Sequence, residues 1–107
     1  MGLDFSLTRV QSTEVFTANI THNLCAMAEE AGIYKALWRP EEIGITKAYQ
    51  MIPILKEGLK LLKSYPKRFK KFNADNGWGT YKHFIPWVEE ILAACVEYPD
   101  ADVQAIR

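Results

Sequence analysis

The sequence predicts an α+β fold: a helix-dominated single domain with a small antiparallel sheet. Apolar and polar residues alternate at positions 3–8, as in a half-buried strand, and a second β-like run covers 15–20. Residues 102–106 form a third candidate strand, and the long stretch between has helical spacing. We therefore expect one domain over residues 1–107, with a β-hairpin at 1–20, helices within 21–98 and a strand at 101–107.

The composition is that of an ordinary globular protein. Of the 107 residues, 49% are hydrophobic and 24% are charged, which argues against disorder. No apolar run approaches the roughly 18 residues of a membrane span, and the N-terminal residues lack the pattern of a signal peptide. We expect a cytoplasmic protein with no membrane partner. Its Cys25 and Cys95 are expected to be reduced and buried, with a disulfide or a nucleophilic thiol as the alternative.

Capping residues and prolines set the expected helix boundaries. An apolar stripe at positions 24–31 indicates a helix, and Gly32 is suited to end it in a left-handed conformation. A further turn is expected at 34–38, after which Pro40 suits the first position of a short helix. A turn is expected at residues 11–13, and Thr46 is suited to cap the next helix, which is either kinked at Pro53 or begins later than Thr46. Pro66 opens a short basic turn. Thr80 is suited to cap the last helix, which Pro99 ends.

The stretch NITHNL, residues 19–24, places four polar side chains at the start of the first helix. Thr21 is suited to cap this helix by accepting a backbone N–H. A helix start also attracts anions, because its unpaired N–H groups carry partial positive charge. We interpret Asn19, Thr21, His22 and Asn23 either as a capping segment or as one half of a ligand-binding site.

The loop NADNGWGT, residues 73–80, leads to a second polar helix start. Trp78 lies between two glycines, which permit close backbone approach and leave the indole free to lie flat against a ligand. The alternative is that Trp78 pins the loop to the core. The candidate ligand-binding residues of this segment are Asn73, Asn76, Trp78, Thr80 and Tyr81.

A third candidate is the stretch LWRPEE, residues 37–42. Trp38 beside Arg39 suits stacking on a base together with a phosphate contact. The plain interpretation is a connection between helices with Trp38 in the core. Both interpretations remain open at the level of the sequence.

Metal and duplex nucleic-acid binding are not indicated. His22 and His83 are far apart in sequence, and no paired Cys or His motif occurs, so we expect no metal site and no cofactor. Residues 56–71 carry seven Lys or Arg against one Glu, but the net charge of the chain is zero. We expect no duplex nucleic-acid partner. This basic segment is interpreted as a solvated face, as a surface for an acidic protein or as a contact for a phosphate-bearing ligand.

The segments NITHNL, MAEEAGIY, LWRPEE, FKKFN and NGWGTY, in this order, resemble a family of short proteins encoded by bacteriophages and prophages. The resemblance covers roughly residue 15 to the C-terminus. It implies a small accessory phage protein acting in the host cytosol. The family has no settled activity, so no catalytic residues can be carried over to this chain. By analogy, such proteins often blunt host defence, some by trapping nucleotide signals.

Three functions follow as hypotheses. The first is a non-enzymatic protein that sequesters a small phosphate-containing, nucleotide-derived ligand such as a host-defence signal. The second is an inhibitor that binds a host defence protein through the basic 56–71 surface, and the third is a small nucleotide-acting enzyme using His22. Because the chain is short, we expect a homo-oligomer.

Overall fold

A three-stranded antiparallel sheet joins the two ends of the chain in the computed structural model, which describes residues 2–9 and 13–107. The strands are β1 Gly2–Arg9, β2 Thr13–Thr21 and β3 Asp102–Ile106, in the spatial order β2-β1-β3. The N-terminal hairpin and the C-terminal strand therefore pair as predicted. Residues 11 and 12 of the predicted turn lie outside the described residues.

Five α-helices and three short 3-10 turns lie between β2 and β3. The 3-10 turns are His22–Leu24, Pro40–Ile43 and Ala48–Gln50. In the described part of the chain, no helix is both long and apolar enough to cross a membrane. The helices together with the three-stranded antiparallel sheet confirm the α+β prediction. The helices are α1 Cys25–Glu30, α2 Tyr34–Trp38, α3 Met51–Ser64, α4 Pro66–Lys70 and α5 Tyr81–Glu97.

The sheet has one apolar, buried face and one polar face, which is exposed at Asp4 and Asn19 while Ser6 is only 6% exposed. Leu3, Phe5 and Leu7 of the central strand point into the core and are 0% exposed. On the opposite face, Asp4 of β1 pairs with Asn19 of β2, and both residues are exposed. This alternation is the period of two that the sequence shows, and it leaves a polar sheet surface in contact with solvent.

Two glycines allow the helices to pack closely around Ile33. α1 ends with Gly32 at φ 78°, and the Ile33 N–H donates to the Ala28 carbonyl at 2.9 Å, which is the expected C-terminal motif. Gly58 lies in the middle of α3, where an added Cβ would overlap the side chain of Ile33. The absence of a side chain at Gly58 therefore sets how near α3 comes to the end of α1.

The start of α3 differs from one expectation. Thr46 does not cap this helix, because α3 begins at Met51 and a 3-10 turn precedes it. The side chain of Gln50 organises this entry by accepting the N–H groups of Thr46 and Lys47, at 2.8 and 2.9 Å. Pro53 then falls in the first turn, where its missing N–H costs no helical hydrogen bond. The later helix start is the correct alternative.

Both cysteines are free thiols. Burial raises the pKa of Cys95 to about 12. Burial also raises the pKa of Cys25, and the nearby Arg39 only partly opposes this effect. Thiols with raised pKa values are poor nucleophiles. Cys95 is buried as expected, whereas Cys25 is only partly buried.

We predict that Gly58→Ala destabilises the protein by about 1–3 kcal/mol, although Ala is the better helix former. The new methyl group would overlap Ile33. Chemical denaturation measures the free energy of unfolding. Lys60→Ala, an exposed substitution on the same helix, is the control and should change it by less than about 0.5 kcal/mol. A stabilised Gly58→Ala variant would contradict the packing described here.

Candidate functional site

The two polar segments singled out from the sequence meet in one chain. The Asn23 amide Nδ2 donates a hydrogen bond to the carbonyl oxygen of Trp78 at 2.8 Å. Gly79 adopts φ 103°, and a Cβ there would lie 2.9 Å from the Thr21 side chain. The loop at 73–80 therefore rests directly on the start of the helical region.

Short hydrogen bonds hold the loop around Trp78 in a defined shape. The Asn76 side chain accepts from the Trp78 N–H at 2.9 Å, and the Ala74 N–H donates to the Gly79 carbonyl at 3.1 Å. Gly77 supplies a left-handed residue at φ 79°. Each of these contacts uses backbone or asparagine atoms. None of them uses the Trp78 indole.

The Trp78 side chain is 72% exposed. It borders a surface depression of about 430 Å³ at the end of the β1–β2 hairpin. The prediction that Trp78 lies free beside the glycines agrees with this geometry, and the alternative of a core-pinning aromatic does not. The depression is lined by Gly2, Asp4, Asn19, Ile20, Thr21 and Trp78.

Asp4 is the charged lining residue that the sequence did not single out. It lies in β1, opposite Asn19 of β2. The pairing register of the hairpin could have identified Asp4, because it places Asp4 and Asn19 on the same sheet face. Among the described residues that line the depression, Asp4 is the only one with a charged side chain, and its charge is negative.

The two helix starts are satisfied largely by the protein itself. The Thr21 hydroxyl accepts the Asn23 N–H at 3.2 Å, as the capping interpretation requires. At α5 the cap is different from the prediction: Asn73 Oδ1 accepts the Tyr81 N–H at 2.7 Å. Thr80 occupies the N-cap position, but its hydroxyl contacts the His83 ring at 2.9 Å and does not bond to the helix backbone.

His22 has a structural contact. Its Nδ1 accepts a hydrogen bond from the indole N–H of Trp38 at 2.9 Å. A neutral imidazole that accepts at Nδ1 carries its proton on Nε2, so it has no free lone pair with which to act as a base. This geometry favours a positioning role for His22 over general-base chemistry.

Trp38 and Arg39 do not lie where a stacking and phosphate site needs them. Trp38 is 1% exposed and its ring stacks on Tyr34, with centroids 5.6 Å apart. Arg39 donates to the Tyr34 hydroxyl at 3.0 Å and to Glu42 at 3.1 Å. The plain interpretation of a helix connection with a core tryptophan is therefore the correct one.

Tyr81 also serves the structure. Its hydroxyl donates to the Leu62 carbonyl at 2.6 Å, which ties the first residue of α5 to α3. The ammonium of Lys70 lies over its ring, 5.7 Å from the centroid. Of the residues predicted as ligand-binding, Asn19 and Trp78 are exposed at the depression with no side-chain hydrogen bond to another described residue.

A second depression, of about 400 Å³, lies elsewhere on the surface. It is bordered by Glu29, Gly32, Tyr34, Lys35 and Ile43 and contains none of the predicted ligand-binding residues. Within residues 2–9 and 13–107, no cluster of three or more His, Cys, Asp or Glu side chains is arranged to hold a metal ion.

Comparisons with protein-family models, with curated proteins and with solved structures find no match to this chain.

We predict that His22→Ala lowers the free energy of unfolding by about 1–3 kcal/mol, because the buried Trp38 N–H loses its acceptor. His22→Asn keeps a polar acceptor on a shorter side chain and should recover part of this loss. The exposed His83 provides the control, and His83→Ala should change stability by less than about 0.5 kcal/mol. Equal effects of the two alanine variants in thermal and chemical unfolding would rule out a structural role specific to His22.

Proposed function

We propose that this chain is a non-enzymatic binding protein that sequesters a small, nucleotide-derived, phosphate-containing ligand. Trp78 is the platform on which the planar base of that ligand stacks. The depression beside Trp78 receives the base, and its volume of about 430 Å³ lies within the range of roughly 300–1,000 Å³ common for small-molecule sites.

The observation that carries this proposal is an exposed tryptophan on a well-held loop. An indole left in water forgoes the favourable burial that a large aromatic side chain normally gains. All the hydrogen bonds of Trp78 use its backbone N–H and carbonyl, so a smaller polar residue would support the loop equally well. The size and flatness of the side chain, which these hydrogen bonds do not use, support a role in binding.

The phosphate of the ligand is best accommodated outside the depression, away from Asp4. Tyr81, the first residue of α5, follows Trp78 by three positions, so the positive end of this 17-residue helix lies within about 11 Å of the Trp78 backbone. Lys82 and His83 are exposed in the first turn. A ligand with its base on Trp78 would extend its phosphate toward this turn.

The biological setting of the proposal comes from the resemblance to short phage proteins. On that basis we place the chain in the cytosol of an infected host, where it would trap a nucleotide signal of host defence. A homo-oligomer is part of this proposal, since a chain of this size gains binding surface by association.

A second candidate function is inhibition of an acidic host protein through the basic surface at 56–71. Two of its cations are neutralised internally, because Lys63 pairs with Glu89 and Arg68 with Glu30. Lys56, Lys60, Lys67 and Lys71 are exposed and form no ion pair with another described residue. Such unneutralised like charges steer acidic partners toward a surface.

We predict that Trp78→Ala weakens nucleotide binding about tenfold or more, because a stacked base loses its platform. Isothermal titration calorimetry with 5′-mononucleotides and cyclic dinucleotides measures the affinity. Trp78→Phe should retain most of it. Tyr49→Ala removes another exposed aromatic side chain, 56% exposed, and should leave binding unchanged. Equal affinity of wild type and Trp78→Ala would refute the proposed site.

For the second candidate, we predict that replacing Lys56, Lys60, Lys67 and Lys71 together by Glu abolishes binding to an acidic host protein. The matched control replaces the same four residues by Arg, which keeps the charge. Co-purification from host cells followed by mass spectrometry tests both variants. Retention of the same host polypeptide by the Glu variant would exclude this surface, and the Trp78→Ala variant distinguishes the two functions.

A further inference from the structure

The geometry points to a guanine base as the group that the depression beside Trp78 recognises. This inference rests on the proposed function, because it specifies which nucleotide that site would take. It is carried by two side chains of the exposed sheet face, Asp4 and Asn19, and by the aromatic wall that Trp78 adds to them.

Asp4 and Asn19 form a pair of adjacent polar groups with unused hydrogen-bonding capacity. They are directly opposite each other in the antiparallel pair of β1 and β2, so their Cβ atoms are about 4.5–5.5 Å apart. Neither side chain forms a hydrogen bond or an ion pair with another described residue, and both line the depression. Their position on paired strands gives them a more defined spacing than loop residues would have.

The hydrogen-bonding pattern of this pair matches one edge of guanine. An ionised carboxylate only accepts hydrogen bonds and offers two oxygens side by side, while an Asn amide also donates. The guanine edge presents the O6 acceptor followed by the N1–H and N2–H donors. Asp4 would accept from the two adjacent N–H groups, and the Asn19 amide would donate to O6.

The other common bases do not match this pattern. Adenine and cytosine each present one donor group followed by an acceptor, which would place a lone pair against the Asp4 carboxylate. Uracil presents a single N–H between two carbonyl oxygens. Only guanine offers two neighbouring donors for a carboxylate. Stacking on Trp78 is available to every base, so the preference comes from Asp4 and Asn19 and the platform from Trp78.

The charge of the described lining residues agrees with a base-binding role. Asp4 is the only charged side chain among the described lining residues, and a phosphate beside it would be repelled. A neutral base with a donor-rich edge has no such penalty. In this arrangement the depression at the sheet binds the base, and the first turn of α5 binds the phosphate.

The test is calorimetric titration of the full chain with GMP, IMP and AMP. We expect GMP to bind about tenfold or more tightly than AMP, since a good bidentate contact discriminates by this order. IMP lacks the 2-amino group and should be intermediate. Asp4→Asn replaces one acceptor by a donor, so it should weaken GMP binding and shift the preference toward AMP. Asp100→Asn, an exposed substitution outside the depression, should leave the preference unchanged.

The outcomes separate this inference from the proposed function. Binding of GMP and AMP with equal affinity, lost in Trp78→Ala, would overturn the guanine assignment and leave the nucleotide site standing. An Asp4→Asn variant with the wild-type preference and an unchanged melting temperature would also overturn it. Binding of L-arginine amide without binding of any nucleotide would overturn both, because the carboxylate would then be selecting a guanidinium group.

Discussion

The central strand β1 buries Leu3, Phe5 and Leu7 on one face of the sheet and exposes Asp4 on the other. Because β2 and β3 flank β1 on both sides, this alternation sets the orientation of the whole sheet. A shift of one residue in register would move the apolar set into solvent, so the pairing is strongly determined. The helical core and the polar surface with the candidate site both follow from this one alternation.

The helical region makes contact with the sheet end through the loop at 73–80. Asn23 and Gly79 bring this loop onto the first helical turn, while Asn73 caps α5. Several polar side chains that a motif search would assign to a ligand are therefore occupied in holding the loop. Because these hydrogen bonds already hold the loop, it loses little conformational entropy when a ligand binds.

Charge is distributed so that the two candidate functions use separate surfaces. The depression beside Trp78 has a single carboxylate among its described lining residues, whereas Lys56 and Lys60 of α3 and Lys67 of α4 are exposed and pair with no described acidic residue. A zero net charge conceals this separation. It also means that long-range attraction of an anion depends on local and not on total charge. At about 0.1 M salt, this attraction is largely screened beyond roughly 10 Å.

Local sequence pattern was sufficient to predict the α+β class, the three strands and the Gly32 helix end, because periodicity and capping act over a few residues. The same local view singled out Trp78 but left open whether it is exposed or pins its loop to the core, and the tertiary structure shows it 72% exposed. It did not separate the core tryptophan Trp38 from a binding one, since burial depends on contacts with distant residues such as His22. Only the tertiary structure decided which of the polar residues are occupied and placed Asp4 next to Asn19, because strand register is a non-local property that neither segment contains alone.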